Sequence, residues 1–176
     1  MKNIYSIIPA IALSAAFFFG AAEAEAASRG EKTFGVRTGY VSRNKSVDAG
    51  LFFQYTFSEH FRLQPAADIV FRHDDRDAFM IDLNAQVPFA MSTPNFSLYP
   101  FAGLNYSSWN YHSPMQDTED RFSDDVTTRK NRFGVNLGAG FDLKLSETLK
   151  LNLEAGYTLV KSNSALRILV GIGYVF

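Results

Sequence analysis

The chain has 176 residues, no cysteine, and a formal net charge of −1 that comes from 17 basic and 18 acidic residues. The absence of cysteine excludes a disulfide framework and also a lipid anchor attached to a cysteine. The near-neutral charge balance gives no support for a nucleic-acid partner, and the length is that of a single domain.

A signal peptide is predicted over residues 1–26. An apolar stretch over residues 4–19 is followed by Ala24-Glu25-Ala26, which fits the small-residue pattern of a cleavage site. A transmembrane anchor is the alternative, but the apolar run contains Pro9 and is short for a span of about 20 residues. We therefore expect cleavage after Ala26 and one mature domain over residues 27–176.

Alternation of apolar and other side chains, which is typical of strands, recurs along the rest of the chain. It predicts eight strands, over residues 32–43, 46–57, 61–72, 78–89, 96–109, 132–145, 149–160 and 166–176. Each is about as long as the ~9–11 residues that cross a bilayer at a tilt. The connections alternate in length, and the longest, residues 111–131, is polar and acidic.

The two faces of these strands differ in a way that indicates their surroundings. One face is apolar and has no charged residue in any predicted strand, whereas the other carries ten of the twelve glycines. An eight-stranded barrel has no room inside for so many large apolar side chains. A soluble two-sheet sandwich is the alternative, but glycine weakens a strand that merely faces water. The apolar face is therefore predicted to contact lipid, where a charge costs ~2–4 kcal/mol.

The other face is predicted to line a narrow lumen in which opposite charges pair. This predicted lumen charge network consists of Arg37, Asp48, Arg62, Asp68, Arg72, Asp82, Asp142, Lys144, Lys150, Glu154 and Arg167. Three prolines, Pro65, Pro88 and Pro100, fall inside predicted strands, where proline cannot donate to the ladder. We expect a bulge or a lumenal water to compensate for them.

The end of the chain carries a resemblance to a known family. Gly171, Tyr174 and Phe176 match the spacing of the carboxy-terminal assembly signal of bacterial outer-membrane proteins, although Leu169 stands where that pattern has a polar residue. The chain from about residue 30 to residue 176 resembles the small barrels of the OmpA transmembrane domain and OmpX type, the outer membrane protein β-barrel domain class.

The resemblance implies an all-β fold, an eight-stranded antiparallel up-and-down transmembrane β-barrel with short periplasmic turns and one long extracellular loop. It implies the outer membrane of a Gram-negative bacterium as the location. The implied partners are outer-membrane lipid and lipopolysaccharide, together with the barrel assembly machinery, which is expected to recognise Phe176. A surface or host ligand is a further expected partner.

The residues give little support for chemistry. His112 and Ser113 are adjacent, but no base and orienting acid accompany them, and His60 and His73 are predicted near opposite ends of the barrel. The acidic loop residues do not follow the spacing of a calcium-binding loop, so we expect no metal and no cofactor. These loop acids are Asp117, Glu119, Asp120, Asp124 and Asp125. The following cations, Arg129, Lys130 and Arg132, either meet lipid phosphates or balance the acidic run.

The sequence thus favours a non-enzymatic outer-membrane protein, a structural or surface-interaction platform that presents an extracellular loop over residues 112–130. Loops on rigid scaffolds commonly carry binding function. A porin-like pore for small solutes is the alternative, because a polar lumen could conduct if it were open. An enzyme that modifies the acyl chains of lipid A is the third interpretation.

Overall fold

The structure is a computed structural model that describes residues 28–43, 45–73, 75–90, 95–113, 126–161 and 164–176. The predicted signal peptide therefore lies outside the described residues. Nine strand segments follow one another along the chain: β1 (Lys32–Val41), β2 (Ser46–Ser58), β3 (Phe61–His73), β4 (Arg76–Gln86), β5 (Phe89–Ala90), β6 (Phe96–Ser113), β7 (Val126–Lys144), β8 (Leu149–Val160) and β9 (Ala165–Val175). Among the described residues, no helix is long and apolar enough to cross a membrane.

The strands close into a barrel. Each strand pairs antiparallel with its neighbours in sequence, and β1 also pairs with β9, with Val36 opposite Ile172. Both β4 and β5 pair with β6, so these two segments are one strand with an interruption. The barrel therefore has eight antiparallel strands, as predicted, and closure leaves no unpaired edge for hydrocarbon to meet.

The three prolines lie where the ladder is interrupted. The register of β4 with β6 continues unchanged into β5, and the gap between them holds Pro88 on one side and Pro100 on the other. One backbone bond bridges this gap, from the Val87 nitrogen to the Pro100 oxygen at 3.1 Å. Pro65 lies in a second gap, where the β2–β3 pairing passes from Ala66 to Leu63. Two prolines thus share one interruption, which limits the loss of ladder bonds.

The barrel has two different ends. At the first, called the turn end here, β1 begins and β9 ends, and the β2–β3, β5–β6 and β7–β8 connections lie there as well. The second, called the loop end, carries the other four connections, including the longest. The predicted loop over residues 111–131 was too long, because β6 continues to Ser113 and pairs with β7 from Val126 onward. The strand extensions are polar on both faces, so they lack the alternation by which membrane strands are recognised.

Burial alternates along the strands and fixes which face is inside. In β1, Arg37 is 3% exposed, whereas Phe34 and Val36 are each about half exposed. Aromatic pairs lie on the outer surface near both ends, for example Tyr106 with Phe133 at 5.1 Å between ring centroids. At the turn end, Phe96 and Phe141 are 5.3 Å apart. The apolar face is therefore outside, as predicted, and lipid is the solvent that suits it.

Glycines make room inside the barrel for three large rings. Phe52, Tyr99 and Phe101 are buried in the lumen, and each lies against one or more glycines of other strands. A Cβ atom added at Gly156 would lie 2.7 Å from Cζ of Phe101, which is closer than such atoms pack. The glycines on the inner face therefore serve packing, since a larger residue there would displace a ring.

Substitution of Gly156 tests this packing. We expect Gly156→Ala to lower the free energy of unfolding by ~1–3 kcal/mol, because the added methyl group overpacks the site against Phe101. Urea unfolding in phospholipid vesicles measures the loss. Ala155→Val, one residue away on the exposed outer face, is the matched control and should change stability little. If Phe101→Leu failed to reduce the cost of Gly156→Ala in a double-mutant cycle, the contact would not be the cause.

Candidate functional site in the barrel lumen

The structure brings most of the predicted lumen charges together. Nine of the eleven are buried side chains that point into the barrel, and they form one continuous set of ion pairs and hydrogen bonds. These nine are Arg37, Asp48, Arg62, Asp68, Asp82, Asp142, Lys150, Glu154 and Arg167. They divide into a mid-lumen cluster and a turn-end cluster.

The mid-lumen cluster is built around two guanidinium groups from adjacent strands, β1 and β9. Arg37 donates to Asp68 through Nε at 2.8 Å and Nη2 at 2.5 Å, a two-pronged contact. Arg167 lies between three carboxylates, with contacts of 2.8 Å to Asp48, 2.9 Å to Asp68 and 2.7 Å to Asp82. Because the planar guanidinium offers several donors in a fixed plane, two arginines tie together strands on opposite sides of the barrel.

The turn-end cluster lies between the mid-lumen cluster and the turn end of the barrel. Arg62 contacts Asp142 at 2.6 Å and also lies over the ring of Tyr99, 4.7 Å from its centroid. Lys150 lies 3.8 Å from the same Asp142 carboxylate. Tyr99 donates its hydroxyl to Glu154 at 3.0 Å, which joins this cluster to the mid-lumen cluster. The two clusters therefore form one network along the lumen.

Side-chain amides complete the network, and this role was not predicted. Asn105 and Asn136 donate to Asp82 at 2.7 and 2.8 Å, and Gln86 donates to Glu154 at 2.9 Å. Gln86 also donates to Gln64. These residues were on the face assigned to the lumen, so the alternation placed them correctly. Their bonding partners could not be found without the register, because the partners lie far away in sequence.

Glu31 closes the network at the turn end, and sequence reasoning missed it because it precedes the first strand. Its carboxylate lies 3.3 Å from Lys150 and 3.1 Å from Lys144, both across the mouth of the lumen. The backbone holds it there, since Thr56 donates to the Glu31 oxygen at 3.0 Å and Gly30 donates to the Thr56 oxygen at 2.8 Å. Burial opposes ionisation of Glu31, but the two ammonium groups outweigh it and hold its pKa below the usual range.

At the loop end the lumen is filled by apolar side chains instead. This apolar plug consists of Val41, Val70, Ala78, Met80, Trp109 and Ala165, with half-buried Tyr111 packed against it. Trp109 is 2% exposed, and its Nε1 donor has no acceptor among the described residues. Among the described residues, this apolar plug therefore lies between the charged network and the loop-end mouth of the lumen.

Two residues of the predicted network do not belong to its buried part. Arg72 lies beyond the apolar plug, is exposed, and pairs with Asp75 at 3.0 Å. Lys144 is 35% exposed at the turn-end mouth and reaches only Glu31. Both lie at the ends of their strands, where the inner face opens to water. The alternation of side chains predicts which face a residue is on, but not whether that face is buried at the strand end.

The predicted loop cations lie in β7 rather than in a loop. Arg129 donates to Asn110 at 3.2 Å on the outer surface, and the ammonium group of Lys130 lies 5.4 Å from the centroid of Tyr111. The predicted loop acids Asp117, Glu119, Asp120, Asp124 and Asp125 lie outside the described residues.

The arrangement offers little for catalysis. His60 lies in the β2–β3 turn at the turn end, whereas His73 ends β3 at the loop end. The backbone of His112 and Ser113 belongs to β6, and their side chains are outside the described part. In the described ranges, no group of His, Cys, Asp and Glu side chains could hold a metal ion.

The residues of the predicted assembly signal lie in the closing strand. Gly171 faces the lumen against Phe52, whereas Tyr174 and Phe176 are more than half exposed on the outer surface, 6.2 Å apart. The backbone of Phe176 exchanges hydrogen bonds with Lys32 of β1 at 2.9 and 3.2 Å. Their recognition by the assembly machinery stays a prediction.

Chemically, the described part of the lumen is filled with side chains, most of which pair with one another. The free space beside Arg37, Asp82 and Glu154 is a cavity of about 20 Å³, enough for roughly one water molecule. An eight-stranded barrel is only wide enough for its own side chains, and here those side chains bond to one another.

Comparison with known proteins identifies the class. The family model described as "Outer membrane protein beta-barrel domain" matches residues 10–176. Comparison with curated proteins gives no match.

Solved structures show the same fold at low sequence identity. The barrel domain of Pseudomonas aeruginosa OprF is 16% identical with a TM-score of 0.66, and the similarity covers 84% of this chain and 98% of that one. Neisserial surface protein A is 13% identical with a TM-score of 0.65, covering 84% and 97%. Ail of Yersinia pestis is 16% identical with a TM-score of 0.60, covering 85% and 100%.

The family match spans almost the whole chain, and the closed eight-stranded barrel with its apolar outer surface agrees with it. The chain belongs to the outer membrane protein β-barrel domain family and resides in the bacterial outer membrane.

Proposed function

We propose that this protein is a non-enzymatic surface platform, a barrel whose interior is sealed and whose loop end binds partners outside the cell. The observation that carries the proposal is the filled lumen. From Glu31 at one end to Trp109 at the other, the described interior is occupied by paired charges, rings and an apolar plug. Such an interior stabilises the barrel but leaves no path for solutes. We therefore expect the protein to act through its external surface.

The loop end supports a binding role because the β6–β7 hairpin has longer strands than the other hairpins. β6 has 18 residues and β7 has 19, whereas the other long strands have 10 to 13. The paired hairpin is a rigid stalk for the connecting residues 114–125, and rigid presentation lowers the entropy lost on binding. The orientation that follows from the family puts this end outside the cell.

The neighbours agree with a surface role without fixing it. Ail is named as the attachment invasion locus protein, and it has also been solved in complex with the heparin analogue sucrose octasulfate. A de novo designed transmembrane barrel is 18% identical to this chain with a TM-score of 0.56. Because a designed barrel shares the architecture, the fold alone does not carry the function.

The two alternatives differ from the platform in what they require. A small-solute pore requires a continuous aqueous path, which the apolar plug opposes. An enzyme that acts on lipid A requires a nucleophile, a base and an orienting group within reach of one another, and His60 and His73 lie at opposite ends. Acyl transfer or hydrolysis by such an enzyme is detectable as a change in the mass of lipid A.

Conductance tests the sealed lumen. We expect the purified mature barrel to give no steady current steps in planar lipid bilayers, because no water-filled path crosses the paired interior. A larger porin in the same bilayers is the positive control. Reproducible steps of one size from the wild-type barrel would contradict the proposal and favour the small-solute pore.

The pH dependence of stability tests the closure at the turn end. The pKa of Glu31 is lowered in the folded barrel from an ordinary value of 4.5, so its ion pairs contribute fully above that value and are lost as the pH falls through the lower folded pKa. We expect Glu31→Gln to reduce the free energy of unfolding by ~1–3 kcal/mol at pH 7, with the difference from wild type disappearing in acid. Urea unfolding in vesicles across this pH range measures the difference.

Glu147→Gln is the control for this measurement, because Glu147 is an exposed carboxylate in the β7–β8 turn at the same end. It should change stability little at any pH. An equal loss in both variants would show that Glu31 contributes only general surface charge.

Replacing the loop tests the platform. Ser113 and Val126 are the last pair of the β6–β7 ladder, so an Asn-Gly turn can join them in place of residues 114–125. We expect this variant to fold into a heat-modifiable barrel, while binding of expressing cells to host surfaces falls to the level of cells without the protein. The control replaces Ser146-Glu147 in a turn-end connection and should keep full binding. Unchanged binding by the loop-replacement variant would show that residues 114–125 do not bind the partner, which would contradict the proposal.

A further inference from the structure

We propose that the loop end carries a binding site for saccharides that bear sulfate or phosphate groups, formed by an inner cationic rim. The inner cationic rim consists of Arg72, Arg76, Tyr111, Lys130 and Arg132. This inference rests on the proposed surface function and names the chemistry of its partner.

The register places Arg76, Tyr111, Lys130 and Arg132 on the inner side of the barrel wall beside the apolar plug, and Arg72 precedes His73, which pairs with Arg76. Trp109 of the plug pairs directly with Lys130 of β7, and directly opposed residues share one face of a sheet. The next inward position of β6 is Tyr111, which pairs with Arg76 of β4. Lys130 and Arg76 are therefore on the face of the sheet that looks toward the mouth of the lumen rather than toward lipid.

Tyr111 lies between two of the cations, which come from the strands on either side of β6. The guanidinium carbon of Arg76 lies 5.6 Å from its ring centroid, and the ammonium nitrogen of Lys130 lies 5.4 Å from the same centroid. Cation–π contact keeps both groups near the ring. A ligand that carries several anionic groups can therefore contact both cations.

The other two cations extend the same rim. Arg132 pairs in register with buried Ser107 and reaches the Lys161 carbonyl oxygen at 3.3 Å. Arg72 contacts Asp75 at 3.0 Å, but both side chains are about half exposed, and such a pair is weak and open to competition. Four cations on neighbouring strands thus match a ligand that carries several anionic groups.

The apolar plug beneath the rim and the position of the rim at the membrane surface favour a saccharide over a free ion. The plug beneath the rim is apolar, so it offers no polar ligand to a small ion that enters further. Lipopolysaccharide, an expected partner at the surface of the outer membrane, carries its phosphate groups on sugars. Arginine in particular matches the oxygen geometry of phosphate and sulfate groups. The source is either lipopolysaccharide of the same membrane or a sulfated saccharide outside the cell.

Trp109 provides an internal reporter for the site. It is the single tryptophan of the chain, it lies beneath the rim, and its Nε1 donor finds no acceptor among the described residues. A ligand held by Lys130 and Arg76 changes the charge directly above the indole, so its fluorescence changes on binding.

The experiment titrates the full mature barrel, refolded in zwitterionic phospholipid vesicles, with dextran sulfate while Trp109 fluorescence is followed. We expect saturable binding that uncharged dextran does not show. The double variant Arg76→Gln/Lys130→Gln should bind about tenfold more weakly, because two contacting cations are lost. The matched control, Arg129→Gln/Lys161→Gln, removes the same charge from exposed positions at the same end and should change binding by about twofold or less.

Equal weakening by both double variants would overturn the site, because it would show general attraction to net charge. Equal binding of double-stranded DNA would overturn the saccharide assignment. Competition by vesicles that contain lipopolysaccharide supports the membrane's own sugar as the source, and absence of competition supports an external sulfated saccharide. Failure of this inference is separable from failure of the proposed function, since a barrel without saccharide binding can still bind cells through residues 114–125, whereas a conducting barrel contradicts the platform itself.

Discussion

The rest of the structure depends on one constraint, which is that lipid surrounds the barrel wall. Hydrocarbon accepts no unpaired backbone group and no exposed charge, so the sheet must close and its outer face must be apolar. Most polar side chains of the membrane-spanning strands are then confined to a lumen that is barely wide enough for side chains. The inside of this barrel therefore has to satisfy its own hydrogen bonds and balance its own charges.

The lumen meets this requirement through size and charge together. Glycines on the inner face give room to Phe52, Tyr99 and Phe101, and the remaining space suits long side chains that cross it. Arg37 and Arg167 cross it most effectively, because each guanidinium bonds to carboxylates of several strands at once. Buried ion pairs are not strongly stabilising in general, but here the alternative is an unpaired charge in a closed space. The same side chains that stabilise the barrel thus also fill its lumen.

The sequence predicted this fold well because one physical rule, alternation between lipid and lumen, governs most of the chain. That rule placed Arg37 and Asp82 inside and Val36 outside, as the structure confirms. It failed where the membrane ends. The polar extension of the β6–β7 hairpin, the exposed position of Arg72 and the inward reach of Glu31 all lie beyond the apolar band. Contacts there depend on the strand register and on the path by which the chain enters the first strand. No local sequence pattern encodes either of these.

The two ends of the lumen are closed by different means, and this difference decides where a partner can act. At the turn end the closure is ionic, with Glu31 between two lysines, so the network continues to the mouth. At the loop end an apolar plug separates the network from the cations above it. Since the plug isolates Arg76 and Lys130 from the carboxylates below, their charge is not neutralised from within the barrel. A cationic group that the interior does not neutralise is available to an anion from outside, and the proposed platform role and the proposed saccharide site both rest on that separation.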